Sequence, residues 1–337
     1  MAIETGDARR VSAMREIGGV PLFAFCSDIH YRDTVPRSRT DGEAYFLRQG
    51  EKLAYISKVC NNYHIPLIIA GDIGHKPEWK NWLITDFLQN FKTGGRTTYA
   101  IPGQHDIFNH KVESWNKGVL GVLDSINVIR VVGVPGGMRQ LGISNTTIDF
   151  IPYGVSIPDI WEGGFYPGAK YRVLVIHKLL TSNPNSNFGV TGLSFLRQYP
   201  YYDLIISGDN HENIEADGEG RMWINPGSMM AMHADQVGHS PCLYIWCSDG
   251  AIITKPIPFH NSEKLPGILT RRHIDAIKKK GERLEVYMDR LNAVHIINKG
   301  GEEVSFEANM EVKLSNIKVK GRVKEKVWEA ISDEPSK

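Results

Sequence analysis

Five short apolar runs in this chain end in the same kind of chemistry. "LFAFCSDIH" closes on Asp28 and His30, "PLIIAGD" on Asp72, and "TYAIPGQHD" on Gln104, His105 and Asp106. "RVLVIH" closes on His177, and "DLIISGDNH" on Asp209 and His211. Each run has the length and continuous hydrophobicity of a buried strand. In α/β sheets, ligand sites form beyond the carboxyl ends of the strands, so these five ends are expected to converge. Any one of them alone reads as ordinary turn chemistry. All five together do not, because a buried carboxylate is costly unless it is paired or bound to a metal.

The intervening sequence supports that layout. Residues 43–64 and 79–91 carry apolar positions at helical spacing, and a further helix is expected over roughly 112–124. Strands are expected at 21–26, 65–70, 97–101, 146–153, 171–177, 202–208, 221–225, 242–248 and 251–257, the last two joined as a hairpin through "CSDG". Strand–helix alternation followed by many strands predicts two packed mixed sheets flanked by helices, a four-layer α/β/β/α sandwich. Beyond residue 260 the character changes. Helices are expected at 268–294, bent near Gly281, and at 323–331, so the reading is a catalytic domain over 1–260 and a small appendage over 261–337.

The ligand set constrains the metal. It contains Asp, His and a carboxamide but no Cys, whereas structural zinc usually takes thiolates. Mixed oxygen and nitrogen ligands suit Mn²⁺, Fe or a catalytic Zn²⁺. There are too many ligands for one ion, so two are implied, with one Asp shared. Paired ions of this kind hydrolyse phosphoesters through a metal-bound hydroxide.

The series "SDIH", "GD", "GQHD", "IH" and "GDNH" resembles the calcineurin-like metallophosphoesterases, whose pattern is D-x-H, G-D, G-N-H-D/E, H and G-H-x-H. The resemblance spans roughly residues 22–258. It implies that Asp28, His30 and His211 hold one ion, that Asp72 bridges, and that Gln104, His177 and Asp209 hold the other. His105 would be the catalytic imidazole, with Asp106 orienting it by a hydrogen bond. Two positions depart from the pattern: Gln104 stands for Asn, and Asp209 for His. Both can ligate through oxygen, so the second site becomes harder, favouring Mn²⁺ or Mg²⁺.

Within that superfamily, the polar loop "RDTVPRSRTDGE" with Arg32, Arg37 and Arg39, and "INPGSMMAMHADQ" with Asn225 and Ser228, are similar to loops of phage-encoded SbcD-type DNA repair and recombination nucleases. These five residues are the candidate substrate contacts. The resemblance implies a manganese-dependent DNA exo- or endonuclease, whose appendage would bind an SMC-type ATPase like SbcC. The basic stretch 271–280 would follow a nucleic-acid backbone, and Val323, Val327, Trp328 and Ile331 share one helical face suited to a partner. A homodimer is a further expectation. Two other readings stand beside it: a small-molecule or phosphoprotein phosphoesterase such as a cyclic-nucleotide phosphodiesterase, and a non-catalytic binding scaffold.

Composition excludes little. A formal net charge of +1 neither demands nor forbids a polyanionic substrate. Four cysteines, none in a C-x-x-C pair, suit a reducing compartment, with Cys26 and Cys60 expected as buried thiols. The first twenty residues lack a continuous apolar run, and no stretch approaches the ~20 residues that span a bilayer. The expectation is a cytoplasmic protein without a membrane segment.

Overall fold

The computed structural model describes residues 18–157, 166–184, 190–258 and 265–270. The chain divides into two compact units, Met1–His273 and Ile274–Lys337. All described residues belong to the first. The stretch 271–280 and the Val323–Ile331 face lie outside them, as does nearly all of the helix expected at 268–294.

The first unit begins with β1 (Pro21–Cys26), α1 (Ala44–Tyr63), β2 (Leu67–Ile69), α2 (Asn81–Asn90), β3 (Thr98–Ala100), α3 (Val119–Ser125) and β4 (Arg130–Val131). It continues with β5 (Gln140–Ile143), β6 (Thr146–Ile151), β7 (Tyr171–His177), β8 (Leu180–Thr181), β9 (Val190–Thr191), α4 (Gly192–Gln198) and β10 (Leu204–Gly208). The remaining elements are β11 (Ile214–Gly218), β12 (Arg221–Asn225), β13 (Cys242–Cys247), β14 (Ile252–Pro256) and the single turn α5 (Leu265–Ile268). No described helix is long and apolar enough to cross a membrane.

Two six-stranded mixed sheets result, ordered β14-β13-β1-β2-β3-β4 and β11-β12-β10-β7-β6-β5. Neighbours from β1 to β4 run parallel, as do those from β12 through β10 and β7 to β6. The antiparallel pairings fall at the sheet margins.

Alternation within strands builds the layers. In β1, Ala24 and Cys26 pack with Leu53, Ile56 and Cys60 of α1 and Phe87 of α2, while Phe23 and Phe25 face the second sheet. In β7, Val173 and Val175 join that inter-sheet core, and Leu174 and Ile176 pack with Phe195 and Leu196 of α4. Helices therefore cover both outer faces, which is the expected four-layer sandwich. Because the central strands are buried on both faces, they read in sequence as continuous apolar runs.

One expected helix is broken. Residues 112–124 form a 3₁₀ segment, Val112–Lys117, then α3, separated by extended Gly118 (φ −111°, ψ −161°). A Cβ there would run into the Pro77 carbonyl oxygen. The buried thiols Cys26 and Cys60 are free.

Candidate metal centre

The parallel strands of both sheets point their carboxyl ends the same way, and the polar strand ends gather there. Asp28 and His30 follow β1, Asp72 follows β2, and Gln104–Asp106 form a 3₁₀ turn just after β3. His177 ends β7, and Asp209 and His211 follow β10. The backbone is strained to do this. Asp28, His30, Asp72 and Asp209 all adopt positive φ (50°, 48°, 52° and 83°). L-residues seldom do so, and such strain concentrates at functional sites.

Two sets of ligand-type atoms form, each with all members within 4.8 Å of one another: Asp28, His30 and His211; and Asp28, Asp72 and His177. Asp72 Oδ2 lies between the sets, 3.6 Å from His30 Nε2 and 3.4 Å from His177 Nε2. His30 Nε2 is 3.0 Å from His211 Nε2 and 3.8 Å from Asp28 Oδ1. Asp28 receives the Asp209 amide on both oxygens, at 3.1 and 3.2 Å. Gln104 Nε2 donates to Asp209 Oδ1 at 2.5 Å, which places these two side by side.

Glycine makes this packing possible. A Cβ on Gly103 would collide with Asp72 Oδ1, and one on Gly71 (φ 90°) with the His177 ring.

Several buried atoms are left without a hydrogen-bond partner: Asp72 Oδ2, His177 Nε2, His30 Nδ1 and Gln104 Oε1. Buried polar atoms are otherwise nearly always satisfied. The His177 ring is fixed by its Nδ1, which donates to the Ala70 carbonyl at 2.7 Å and leaves Nε2 as the free donor atom. That is the usual support for a metal-binding imidazole. Orphaned oxygens and nitrogens without thiolates fit divalent cations of intermediate to hard character.

The electrostatics agree. Burial lowers His30 well below the usual imidazole range and holds His211 at about 4, with His233 adding to the effect on His211. Burial opposes the charge on His177, but Asp72 and Asp28 raise it to about 10. Burial likewise opposes ionisation of Asp72, yet His177, His30 and His105 hold its carboxyl far below the usual range. Burial, aided by Asp72, pushes the Asp28 carboxyl up.

His105 stands at the edge of this cluster, its ring 5.0 Å from that of His30. Its Nδ1 donates to the His75 carbonyl at 3.1 Å, and its backbone amide donates to Asp72 Oδ1 at 2.9 Å. The expected Asp106–His105 bond is absent. Asp106 instead accepts the amides of Ile73 (3.2 Å), Gly74 (2.9 Å) and Gly103 (3.0 Å), clamping the turns that carry Asp72 and His105. Burial and the charge of Asp72 raise its carboxyl to about 7, against the pull of the Gly74 and Gly103 amides.

Three candidate substrate contacts require correction. Asn225 is fully buried, donating to the Asn210 and Glu212 carbonyls and accepting from Ser207 Oγ. Ser228 is also fully buried, with Oγ donating to Met230 O. Arg39 is buried, bidentate on Asp41 and bonded to Ala231 O. These residues hold loops together and present nothing to a ligand. Arg37 is exposed, and Arg32 is half-buried beside Met232.

Two histidines went unnoticed in the sequence. His75 stacks on His105 with centroids 5.2 Å apart and planes 17° apart, and His30, His75 and His105 make a third group within 4.8 Å. Burial, with Arg32 and His105 nearby, lowers His75 to about 4. Its only sequence signal was the G-D-x-x-H spacing. His233 stacks on His211 at 5.5 Å and 14°. It is an exposed residue of a largely buried loop, with no strand end to announce it.

Comparison with known proteins agrees with this geometry. The sequence model of one family, described as Calcineurin-like phosphoesterase, matches residues 21–213. Among solved structures, an archaeal phosphodiesterase is similar at 14% identity over 69% of this chain and 98% of its own, with a TM-score of 0.38. A dimetal phosphatase from Danio rerio is similar at 10% identity over 71% and 100%, with a TM-score of 0.45. The phosphopantetheinyl hydrolase of Mycobacterium tuberculosis is similar at 12% identity over 63% and 90%, with a TM-score of 0.35. Likenesses of this size say nothing of substrate. No curated protein matches the sequence.

Proposed function

This chain belongs to the calcineurin-like phosphoesterases, metal-dependent hydrolases of phosphate esters, and from that premise we propose that it is a two-metal phosphodiesterase acting on DNA. The carrying observation is the pair of ligand groups sharing Asp28, with Asp72 between their histidines and four buried atoms unsatisfied. Asp28, His30 and His211 would hold one ion, and Asp72 would face both. His177, Gln104 through its free Oε1, and Asp209 would hold the other. Two bound divalent ions supply positive charge and the acidity that makes water a nucleophile at neutral pH.

The chain's own residues do the rest. His105, fixed through Nδ1, turns Nε2 toward the reacting phosphate and protonates the leaving oxygen. Asp106 keeps the His105 turn in register with Asp72 by binding both their loops. The oxygen donors Asp209 and Gln104 favour Mn²⁺ or Mg²⁺ at the second position.

The DNA reading is supported by the rim. Lys76, Lys111 and Lys178 are exposed and directly follow His75, His110 and His177 in the chain, and Arg32 adds a fourth cation. Several cations close in sequence to these histidines suit a polyanion more than a small ester with a single phosphate. The same reading carries an SMC-type ATPase partner bound through the C-terminal region, testable by copurification with the full chain. The central test is manganese-dependent degradation of labelled single- and double-stranded DNA beside bis(4-nitrophenyl) phosphate. Turnover of small diesters or nucleotides without DNA cleavage sinks the DNA reading. Failure to hydrolyse any phosphodiester favours a binding scaffold.

A further inference from the structure

Loop 226–236 is anchored far more firmly than a surface turn requires. Ser228 N donates to His211 O at 3.2 Å and Met229 N to Asp28 O at 3.1 Å, tying the loop to two ligand residues. Buried Gln236 closes it: Oε1 accepts the amides of Met232 (2.7 Å) and His233 (2.9 Å), and Nε2 donates to Ser228 Oγ at 3.2 Å and His211 O at 3.4 Å. Arg39 Nη1 binds the Ala231 carbonyl at 2.9 Å. Ala231, Met232 and Ala234 are all buried. What this framework presents to solvent is His233, its imidazole lying flat against His211, and Asp235 two positions on.

A second loop brings a cation to the same place. Arg32 Nη1 lies 4.0 Å from Met232 Sδ, and its Nε and Nη2 are braced on Thr34 Oγ1 at 3.3 and 3.0 Å. The Arg32 backbone is itself clamped by Gln49, whose Oε1 accepts the Arg32 amide at 3.0 Å while its Nε2 donates to the Arg32 carbonyl at 3.2 Å. A guanidinium held against Met232, and the imidazole of the following residue stacked on His211, together offer a donor set for a phosphate oxygen.

The geometry assigns to His233 and Arg32 a subsite for the phosphate that flanks the scissile one. This rests on the phosphodiesterase reading and sharpens it, since only a substrate with a second phosphate beside the scissile one, as in a polynucleotide, can fill both positions. His233 contributes a ring N–H and Arg32 a charged fork. Neither touches the reacting bond.

The test compares His233→Ala, His233→Phe and Arg32→Ala with the wild type. On a tetrathymidylate, each variant loses about tenfold in kcat/KM through KM, the scale of one charged hydrogen bond. On bis(4-nitrophenyl) phosphate, which has one phosphate, each stays within about twofold. Manganese affinity by calorimetry is unchanged. Without added metal, Arg32→Ala lowers oligonucleotide affinity by anisotropy and cuts the slope of log affinity against log salt by about 0.7. His233→Phe behaving as wild type overturns the proposal, because the ring would then serve only as packing on His211. Equal losses on both substrates also overturn it. If the wild type leaves the oligonucleotide uncut, the DNA reading has failed. The metal-free affinities then still decide the subsite, and unchanged values in both Ala variants end it.

Discussion

Asp149 and Asp72 are both fully buried carboxylates, and the contrast between their surroundings separates structure from site. Asp149, in β6 on the α4 side of the second sheet, is fully answered. Oδ2 accepts Arg172 Nε at 2.7 Å and Oδ1 accepts Gln140 Nε2 at 2.8 Å. Asp72 has one amide on Oδ1 and none on Oδ2, with imidazole nitrogens waiting at 3.4 and 3.6 Å. A buried charge with both oxygens engaged serves the fold. A buried charge left partly bare, among other bare ligand atoms, is a place for a cation.

Substitutions at the two sites should fail in opposite ways. Asp72→Asn is expected to lower turnover about 10³-fold, because several kcal/mol of transition-state charge stabilisation go with the shared ion. Calorimetry should show manganese affinity falling with it. Full activity in that variant would break the contrast. Asp149→Ala removes the carboxylate bound to Arg172 Nε and should cost about 3–5 kcal/mol in denaturant unfolding, with turnover per folded molecule preserved. An activity loss beyond the unfolded fraction would make Asp149 part of the site.

Metal addition sharpens the comparison further. At a hundredfold excess over Kd, manganese should stabilise the wild type and Asp149→Ala alike, by about 2.7 kcal/mol for each ion bound, and stabilise Asp72→Asn far less. The smallest expected effect is on pH. In the metal-free protein His177 titrates at about 10, above its unfolded value near ~6.5. Its contact with Asp72 therefore stabilises the metal-free fold fully below the unfolded value and is lost as pH rises through the folded one. An arriving ion must displace that proton, so between about pH 8 and pH 10 affinity should climb about tenfold per pH unit, and more steeply below, where Asp28 is protonated as well. At about pH 9, calorimetry in buffers of different ionisation enthalpy should register about one proton released. A pH-independent affinity would contradict the pairing.

The central strands were legible because burial on both faces leaves an unbroken apolar run, and the polar residue that ends the run marks the strand's end. β1, β2, β3, β7 and β10 all carry that signature, and the ligand residues came with them. The edges of the second sheet were not legible. β11 alternates half-buried and exposed residues through Glu215 and Asp217, and β5 is half-buried throughout, so neither offers an apolar run. α4 starts at Gly192 behind a Thr191 cap and lasts only seven residues. In the site, Asn225 and Ser228 sit in a loop that borders the centre, but burial turns both inward. Which residue of that loop faces out depends on Gln236, four positions beyond the amide of Met232, and no local pattern announces such a staple. His75 and His233 were missed because both sit in turns, where histidine is ordinary.

The ligand residues come in two halves: Asp28, His30, Asp72 and Gln104 from the first sheet, His177, Asp209 and His211 from the second. Neither half holds a complete set. An ion bound here is thus a rivet between two layers that must already have docked. In a refolding experiment, manganese uptake becomes a clock for sheet docking: it starts only after each layer has formed and met the other, later than the backbone signal that reports the strands themselves.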